Sequence, residues 1–140
     1  MPNASGQPVL PKSTLIIETA QGPVEFIVEL ADKPNEIQTG MMFRQIIGEN
    51  EGMLFDIGRT RVAFFWMRNT LISLDIIFID GQGLIINIAA NATPLSEETL
   101  YSERPARGVL EIYGVRAAEL GIISGSVVRH ALFGNDSMRH

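Results

Sequence analysis

The pattern of apolar and polar residues is most regular in the segment Val24–Leu30, where every second side chain is apolar. A two-residue period predicts a strand with one buried face. The preceding run Thr14–Thr19 also predicts a strand, and turn-forming residues between the two join them as an antiparallel hairpin. In this register Glu25 and Glu29 face water, and the inward-facing residues are Val24, Phe26, Val28 and Leu30.

A change of pattern between Asp32 and Met42 predicts a short helix, with Asp32 as its cap and Pro34 in its first turn. The next stretch, Phe43–Arg61, holds several glycines and predicts a loop. Within this loop, residues 52–55 form a short apolar piece that is able to pair with a sheet.

The stretch Ala63–Asp80 combines the longest apolar runs with one polar triplet, Arg68-Asn69-Thr70. Its apolar runs predict core strands near Val62–Met67 and Ile72–Ile79. A polar triplet between such strands must be exposed or hydrogen-bonded, because a buried unpaired polar group costs roughly 1–3 kcal/mol. This stretch therefore predicts both the core and the candidate site.

The rest of the chain predicts further short strands, beginning with a hairpin turn at residues 80–83. The elements that follow are the strand Leu84–Ala92 with Leu84, Ile86, Ile88 and Ala90 inward, the loop Thr93–Arg107, the strand Gly108–Tyr113, the helix Val115–Leu120 ended by Gly121, and the strand Val127–Phe133. Six to eight short strands and one or two short helices predict a mainly β domain of β-sandwich or jelly-roll type.

The length of 140 residues fits a single domain. We expect a disordered arm over residues 1–12, one β-rich domain over residues 13–134 and a frayed tail over residues 135–140. The first dozen residues lack the apolar run of a signal peptide, although a terminus left after removal of an export signal would look the same.

Composition narrows the classes of partner. The net charge of −5 argues against a nucleic-acid surface, because phosphate backbones require a basic stripe. The absence of cysteine excludes disulfides, thiolate metal sites and a cysteine nucleophile. No apolar run approaches the roughly 18 residues of a membrane span. We therefore expect no cofactor, no nucleic-acid partner and no transmembrane segment.

Five sequence blocks resemble a known family. They are Gly40-Met41-Met42-Phe43-Arg44, Gly52-Met53-Leu54-Phe55, Phe65-Trp66-Met67-Arg68-Asn69-Thr70, Leu74-Asp75-Ile76-Ile77-Phe78 and Val109-Leu110-Glu111, together with Pro94 and Tyr101. Their order and spacing resemble the domain of unknown function 192 family over residues 13–133. The chain departs from the family pattern at Ser73 and at Tyr113-Gly114.

The resemblance implies an all-β, jelly-roll-like single domain. Many family members begin with an export or lipoprotein signal, so the resemblance favours a periplasmic or exported location. It supplies no established catalytic residue or ligand, so the candidate site depends on the residues themselves.

The candidate ligand-binding residues are polar or aromatic side chains embedded in apolar sequence: Arg44, Trp66, Arg68, Asn69, Thr70, Asp75, Tyr101 and Glu111. Asp75 shares a strand face with Ile77 and Ile79, so we expect it to be buried and paired, with arginine as the natural partner. One interpretation is a salt-bridge network that only fixes the fold, and the other is a polar pocket for a small ligand.

Other chemistries are weaker on sequence grounds. Asp75 and Glu111 are the candidate acid pair of a hydrolase, but the sequence does not give their separation. The methionines Met41, Met42, Met53 and Met67 suit either cuprous copper or, more simply, core packing. Core packing is also the favoured interpretation of Trp66. His130 lacks an obvious serine or aspartate partner in the sequence.

Three hypotheses remain, and a non-enzymatic binding or accessory module of the cell envelope is the leading one. The alternatives are a hydrolase acting on a carbohydrate or similar envelope substrate and a purely structural interaction domain. We expect the loop 93–107 to lie over Arg68–Thr70 and to close one wall of a pocket beside Trp66 or Tyr101. The arginines of this loop, Arg104 and Arg107, favour an anionic ligand, and a carbohydrate is the other candidate.

Overall fold

The computed structural model of the protein describes residues 9–136. The elements in chain order are β1 (Lys12–Thr19), β2 (Gly22–Ala31), α1 (Pro34–Thr39), β3 (Glu51–Arg61), β4 (Phe64–Phe65), β5 (Leu74–Ile79), β6 (Ile85–Ala92), β7 (Leu100–Tyr101), β8 (Ala106–Tyr113), α2 (Arg116–Leu120) and β9 (Val127–Arg129), followed by a 3-10 turn at Ala131–Phe133. The prediction of a mainly β single domain with two short helices is confirmed.

Seven strands form one curled sheet, a half-barrel, in the order β6-β5-β8-β3-β2-β1-β9. Strands β4 and β7 pair separately as a small ribbon. All pairs are antiparallel except β2 with β3, which is parallel. A parallel neighbour requires a crossover connection, and α1 with residues 40–50 supplies it.

The sheet buries apolar side chains on both faces, which we call face A and face B. Face A carries Phe26, Leu54, Ile77 and Ile112, with Ala117 of α2 packed against them. Face B carries Met53, Phe55, Ile76, Phe78 and Val109, and it is covered by Met41, Ile37 of α1 and Met67. Strand β5 is buried along its whole length, because both of its faces are covered.

The predicted hairpin of β1 and β2 is confirmed, and its loop is the pair Ala20-Gln21. The predicted helix is shorter than expected, because Lys33 rather than Asp32 occupies the N-cap. The Glu36 carboxylate accepts hydrogen bonds from the backbone N–H groups of Asp32 and Lys33 and so closes the first turn.

Several predicted elements differ from the observed ones in extent or in the side chains that face inward. The last predicted strand, Val127–Phe133, is limited to β9 and is followed by the 3-10 turn. The stretch predicted as loop contains β3, although its apolar piece at residues 52–55 pairs with the sheet as expected. The strand predicted near Val62–Met67 shrinks to β4. In β6 a register shift opposite Phe78 and Ile79 buries both Ile85 and Ile86 and leaves Ala90 exposed.

The described residues nearest to the two chain ends are hydrogen-bonded to the rest of the domain. The Leu10 N–H donates to Glu29 Oε1, and the Pro11 carbonyl accepts from Leu30 N–H, so the end of the predicted arm joins the sheet. Asn135 is also bonded, because its side chain donates to the Val128 carbonyl. The remainder of the predicted arm and tail lies outside the described residues. Within residues 9–136, no helix combines the length and apolar character needed to cross a membrane.

Candidate functional site

Two buried carboxylic acids lie on neighbouring strands and point to opposite faces of the sheet. Asp75 of β5 is the register partner of Ile112 of β8, and Ile112 belongs to face A. Glu111 precedes Ile112 and pairs with Ile76 and Met53, which both belong to face B. The sheet itself therefore separates the two carboxyl groups.

Asp75 is satisfied by the backbone. Its Oδ1 accepts the N–H of Asn91 at 2.8 Å and of Val115 at 3.2 Å, and its Oδ2 accepts the N–H of Ala117 at 2.8 Å. The side chain is 1% exposed, as expected from its strand face. The expected arginine partner is replaced by three peptide groups, which hold β6 and the first turn of α2 against β5. Asp75 thus fixes the fold.

The acid pair of the hydrolase hypothesis is not assembled. A glycosidase needs its two carboxyl groups on either side of one scissile bond. Asp75 faces α2 on face A, whereas Glu111 faces the cover of face B. This geometry argues against shared chemistry by the two acids.

A cleft of about 150 Å³ opens on face B, between α1 with the following turn and the segment from β4 to Thr70. The residues around it are Ile37, Gln38, Thr39, Gly40, Met41, Met42, Phe55, Phe64, Phe65, Trp66, Arg68, Thr70 and Glu111. Most are aromatic, aliphatic or thioether side chains. The cleft therefore combines an apolar lining with a few polar groups, the usual composition of a small-molecule site.

Glu111 is the acidic group of this cleft. Its side chain is almost fully buried, with 4% of the residue exposed. Burial raises the pKa of Glu111 to about 8, and the charge of Arg44 offsets only part of that rise. Within residues 9–136, no hydrogen bond reaches the Glu111 carboxyl. A carboxylic acid without a hydrogen-bond partner thus faces an open cleft.

Arg44 and Glu29 form a buried ion pair beside Glu111. The guanidinium donates from both terminal nitrogens, at 2.5 and 3.0 Å, to the two carboxylate oxygens. Each side chain is 11% exposed, so the prediction that Glu29 faces water is wrong. Burial pushes the pKa of Glu29 upward, but hydrogen bonds from Arg44 and the Leu10 N–H outweigh it and hold the pKa below its ordinary value.

The polar triplet 68–70 forms a tight turn at the edge of the cleft. The Thr70 N–H donates to the Met67 carbonyl at 3.0 Å, and Asn69 takes a left-handed conformation with φ of 55°. Asparagine tolerates that region better than most residues. The Asn69 carbonyl accepts the N–H of Phe43, which ties this turn to the turn after α1. Asn69 therefore shapes the cleft through its backbone.

Trp66 and Arg68 stack at the cleft entrance. The guanidinium carbon of Arg68 lies 5.3 Å from the Trp66 ring centroid, and its Nε lies 4.0 Å from a Glu97 oxygen. Trp66 is 41% exposed, so the interpretation of Trp66 as core packing is wrong. It forms a half-exposed aromatic wall instead.

The loop 93–107 lies against the segment that carries the triplet, as expected. Its Leu95 N–H donates to the Thr70 carbonyl, and its Ser96 carbonyl accepts the N–H of Met67. Tyr101 pairs with Phe64 across the ribbon, with ring centroids 6.1 Å apart. The loop therefore supports the segment that carries the triplet, but none of its residues lines the cleft, so it does not close a wall there as expected.

The loop arginines do not reach the cleft. Arg104 donates to Asp80 at 2.9 Å, and Arg107 pairs with Asp56. Both residues therefore attach the loop to neighbouring turns and strands. This pairing removes the sequence argument for an anionic ligand.

A second hollow, of about 320 Å³, adjoins the cleft and shares its aromatic wall. It is lined by Phe64, Phe65, Trp66 and Thr99. Its lining contains no charged side chain, so it offers a ligand shape but little polar recognition. The cleft with Glu111 is the stronger candidate site.

The sequence profile of one protein family matches residues 16–130, and its description is domain of unknown function 192, uncharacterised ACR. The chain belongs to this family. Its predicted membership is thereby confirmed. No curated protein matches the chain.

Two solved structures are similar to this member of the domain of unknown function 192 family. One is a candidate transcription regulator from Sinorhizobium meliloti 1021, with 36% identity, a TM-score of 0.87 and coverage of 91% of this chain and 99% of that chain. The other is a protein of unknown function from Novosphingobium aromaticivorans DSM 12444, with 41% identity, a TM-score of 0.86 and coverage of 91% and 89% respectively.

The four methionines considered as copper ligands pack mostly in the core of this family member. Met41, Met53 and Met67 are at most 2% exposed, and Met42 is half-buried. No cluster of three or more histidine, cysteine or acidic side chains suited to a metal occurs in the described part of the chain.

His130 has a serine partner that the sequence did not reveal. Its Nε2 lies 2.8 Å from Ser13 Oγ, and its Nδ1 accepts the Leu132 N–H at 3.0 Å. Because Nδ1 accepts, the neutral ring carries its proton on Nε2 and donates to the serine. The histidine therefore does not activate Ser13. Burial lowers the pKa of His130 below its ordinary value.

Sequence reasoning missed part of the cleft wall. Gln38, Thr39 and Gly40 come from α1 and its C-terminal end, and Phe55 comes from β3. Gly40 has φ of 48°, and an added Cβ would lie 3.3 Å from the Phe55 ring. The sequence signals for this wall were the predicted helix and the family blocks that begin at Gly40 and at Gly52.

Proposed function

We propose that the protein is a non-enzymatic module that binds a small ligand in the face B cleft through Glu111. The observation that carries this proposal is the buried carboxyl group of Glu111, which borders an open cleft and has no hydrogen-bond partner among residues 9–136. Buried polar groups in folded proteins nearly always have a hydrogen-bond partner. A ligand that hydrogen-bonds to Glu111 would provide one.

The rest of the cleft supports this role. Trp66 and the phenylalanines offer apolar contact area, and Thr70 offers a hydroxyl oxygen beside them. The walls come from α1 and from the turn at Asn69. The hydrogen bond from the Phe43 N–H to the Asn69 carbonyl joins these two walls. A site with rigid walls loses little conformational entropy when it binds a ligand.

An enzymatic role lacks its second functional group, because Asp75 lies on the other face and His130 is a hydrogen-bond donor to Ser13. The relative described as a candidate transcription regulator is compatible with a module that senses a small effector. Direct nucleic-acid contact by this chain is disfavoured by its net charge of −5. The exported location stays a prediction from the family resemblance.

Thermal shift and Trp66 fluorescence test the proposal together. Trp66 is the single tryptophan and lines the cleft, so its emission reports on occupancy. A suitable panel contains amines, alcohols and carboxylates of about six to eight non-hydrogen atoms, because a cavity of about 150 Å³ holds a benzene-sized group. A binder at 100 times its Kd stabilises the fold by about 2.7 kcal/mol.

The matched variants are Glu111→Gln and Glu25→Gln. Both replace a carboxyl by an amide on the same sheet, but Glu25 is exposed on β2. We expect the stabilisation and the change in Trp66 emission to disappear in Glu111→Gln and to persist in Glu25→Gln. A panel that leaves the wild-type melting temperature and emission unchanged would contradict the proposal and favour the structural interpretation.

A further inference from the structure

We infer that the cleft takes a small organic cation, a primary ammonium on a compact apolar body, with Glu111 as its counter-ion. This inference rests on the proposed function and adds the chemical class of the ligand. It depends on which charged groups around the cleft already have partners.

The basic groups near the cleft are engaged. Arg44 directs both terminal nitrogens to Glu29, and that pair is nearly buried. Arg68 lies over Trp66 and 4.0 Å from Glu97, and half of its side chain is exposed. Among the described residues, the charge that stabilises the ionised form of Glu111 is that of Arg44. The group left to be matched inside the cleft is therefore the Glu111 carboxyl, which becomes negative when it loses its proton.

The other polar atoms inside the cleft favour a ligand that donates hydrogen bonds. The Thr70 hydroxyl donates its hydrogen to the Arg68 carbonyl at 3.2 Å, so its oxygen is left to accept. Gln38 and Arg68 carry N–H donors, but both are exposed at the rim. An ammonium group brings donors and a positive charge at once.

The aromatic lining also suits a cation. Phe55, Phe64, Phe65 and Trp66 all border the cleft. A cation near an aromatic face gains electrostatic attraction from the ring, and the gain is larger where water is excluded. The same faces provide apolar contact for the body of the ligand. A carboxylate ligand would lack the attraction to the rings and would face Glu111.

Binding of a cation must be coupled to a proton. At pH 7 a carboxyl with a pKa of about 8 is roughly 90% protonated, so an arriving ammonium displaces close to one proton. The charged groups that face Glu111 are Arg44, with its partner Glu29 from β2, and Arg68; β3 and β5 present Met53 and Ile76.

Three probes of one size separate the ligand classes: benzylamine, benzyl alcohol and benzoate. Calorimetric titrations at pH 7 in phosphate and in HEPES, which differ in ionisation enthalpy, count the protons released. We expect benzylamine to bind at least tenfold more tightly than benzyl alcohol and to release nearly one proton. Its affinity should rise about tenfold per pH unit between pH 6 and 8 and level off above, because Glu111 is then already ionised.

Variants link the effect to Glu111. In Glu111→Gln we expect no proton release, no pH dependence and equal affinity for the amine and the alcohol, whereas Glu25→Gln behaves as wild type. If Glu111→Gln does not fold, the pH dependence of the wild type decides alone.

The inference that the ligand is a cation would be overturned if benzyl alcohol or benzoate bound as tightly as benzylamine or more tightly. It would also be overturned if benzylamine did not bind. Where the alcohol or benzoate changes Trp66 emission in wild type but not in Glu111→Gln, the binding module stands and only the ligand class fails.

Discussion

The two faces of one sheet treat a buried carboxylic acid in opposite ways. On face A, Asp75 receives three backbone N–H groups and binds β6 and α2 to the sheet. On face B, the carboxyl group of Glu111 receives no hydrogen bond from residues 9–136 and borders an open cleft. Since both side chains are at most 4% exposed, burial alone does not distinguish a structural acid from a functional one. The partners make the difference.

The largest expected effect on the free energy of unfolding comes from substitution of Asp75, the structural acid of face A. Asp75→Ala leaves three backbone N–H groups without their acceptor, of which that of Ala117 is buried and those of Asn91 and Val115 are partly buried. Because a buried group without a partner costs roughly 1–3 kcal/mol, we expect a loss on the order of 4 kcal/mol in the free energy of unfolding. Asp75→Asn keeps one oxygen and should lose less. Urea denaturation measures both, with the exposed Asp32→Ala as control. A loss within about 0.5 kcal/mol, typical of surface substitutions, would contradict this role.

The second prediction concerns Glu111 and pH. Its folded pKa of about 8 lies above the ordinary value of 4.5, so its contribution is fully present below pH 4.5 and is lost as pH rises to 8. Glu111→Gln has no such loss, and we expect it to gain on the order of 3 kcal/mol over wild type between pH 5 and pH 9.

Urea denaturation at several pH values measures this difference. Glu25→Gln should follow wild type throughout, because Glu25 is exposed. A constant difference between wild type and Glu111→Gln from pH 5 to pH 9 would mean that Glu111 is already ionised and paired, and the contrast between the two faces would fail.

A smaller effect is expected from the exposed ion pair of Arg104, and it tests how much such a pair contributes to the free energy of unfolding. Arg104 pairs with Asp80 at 2.9 Å, but its side chain is 53% exposed. Exposed pairs contribute about 0–1 kcal/mol, so Arg104→Ala should lose less than about 1 kcal/mol in urea denaturation. A loss comparable with that of Asp75→Ala would show that the loop 93–107 depends on this pair.

The smallest expected effect is none. The contrast between Asp75 and Glu111 assumes that no ion binds Glu111, and the described residues hold no group of three metal-ligating side chains. The melting temperature should therefore be the same with and without a strong chelator. A decrease that one specific ion reverses would assign Glu111 to a metal site.

The sequence predicted the local elements better than their partners. Alternation in β2 and the turn at residues 80–83 predicted two hairpins, because both depend on neighbouring residues. Strand β3 was predicted only at residues 52–55, since the glycines around it resemble those of a loop. Its Gly52 is needed because an added Cβ would lie 2.6 Å from the Glu111 carbonyl. Such a close approach is a property of the paired strands.

The candidate site was predicted in part for the same reason. Glu111, Thr70, Arg68 and Trp66 were chosen from local pattern, and they line one cleft. Asp75 was chosen by the same rule and lies on the other face, because nothing in its own strand shows which backbone groups will meet it. The Glu29–Arg44 pair depends on the crossover after α1 and has no signature in β2.

The parallel pairing of β2 with β3 has a consequence for folding rates. The β1–β2 hairpin closes over two residues, and such hairpins form in about 1–10 μs. The cleft requires both the crossover between β2 and β3 and the pairing of Met53 with Glu111, which are far apart in sequence. Contacts between distant segments form late, so we expect the cleft not yet to be formed in the folding transition state. A ligand of the cleft should then slow unfolding and leave the folding rate unchanged.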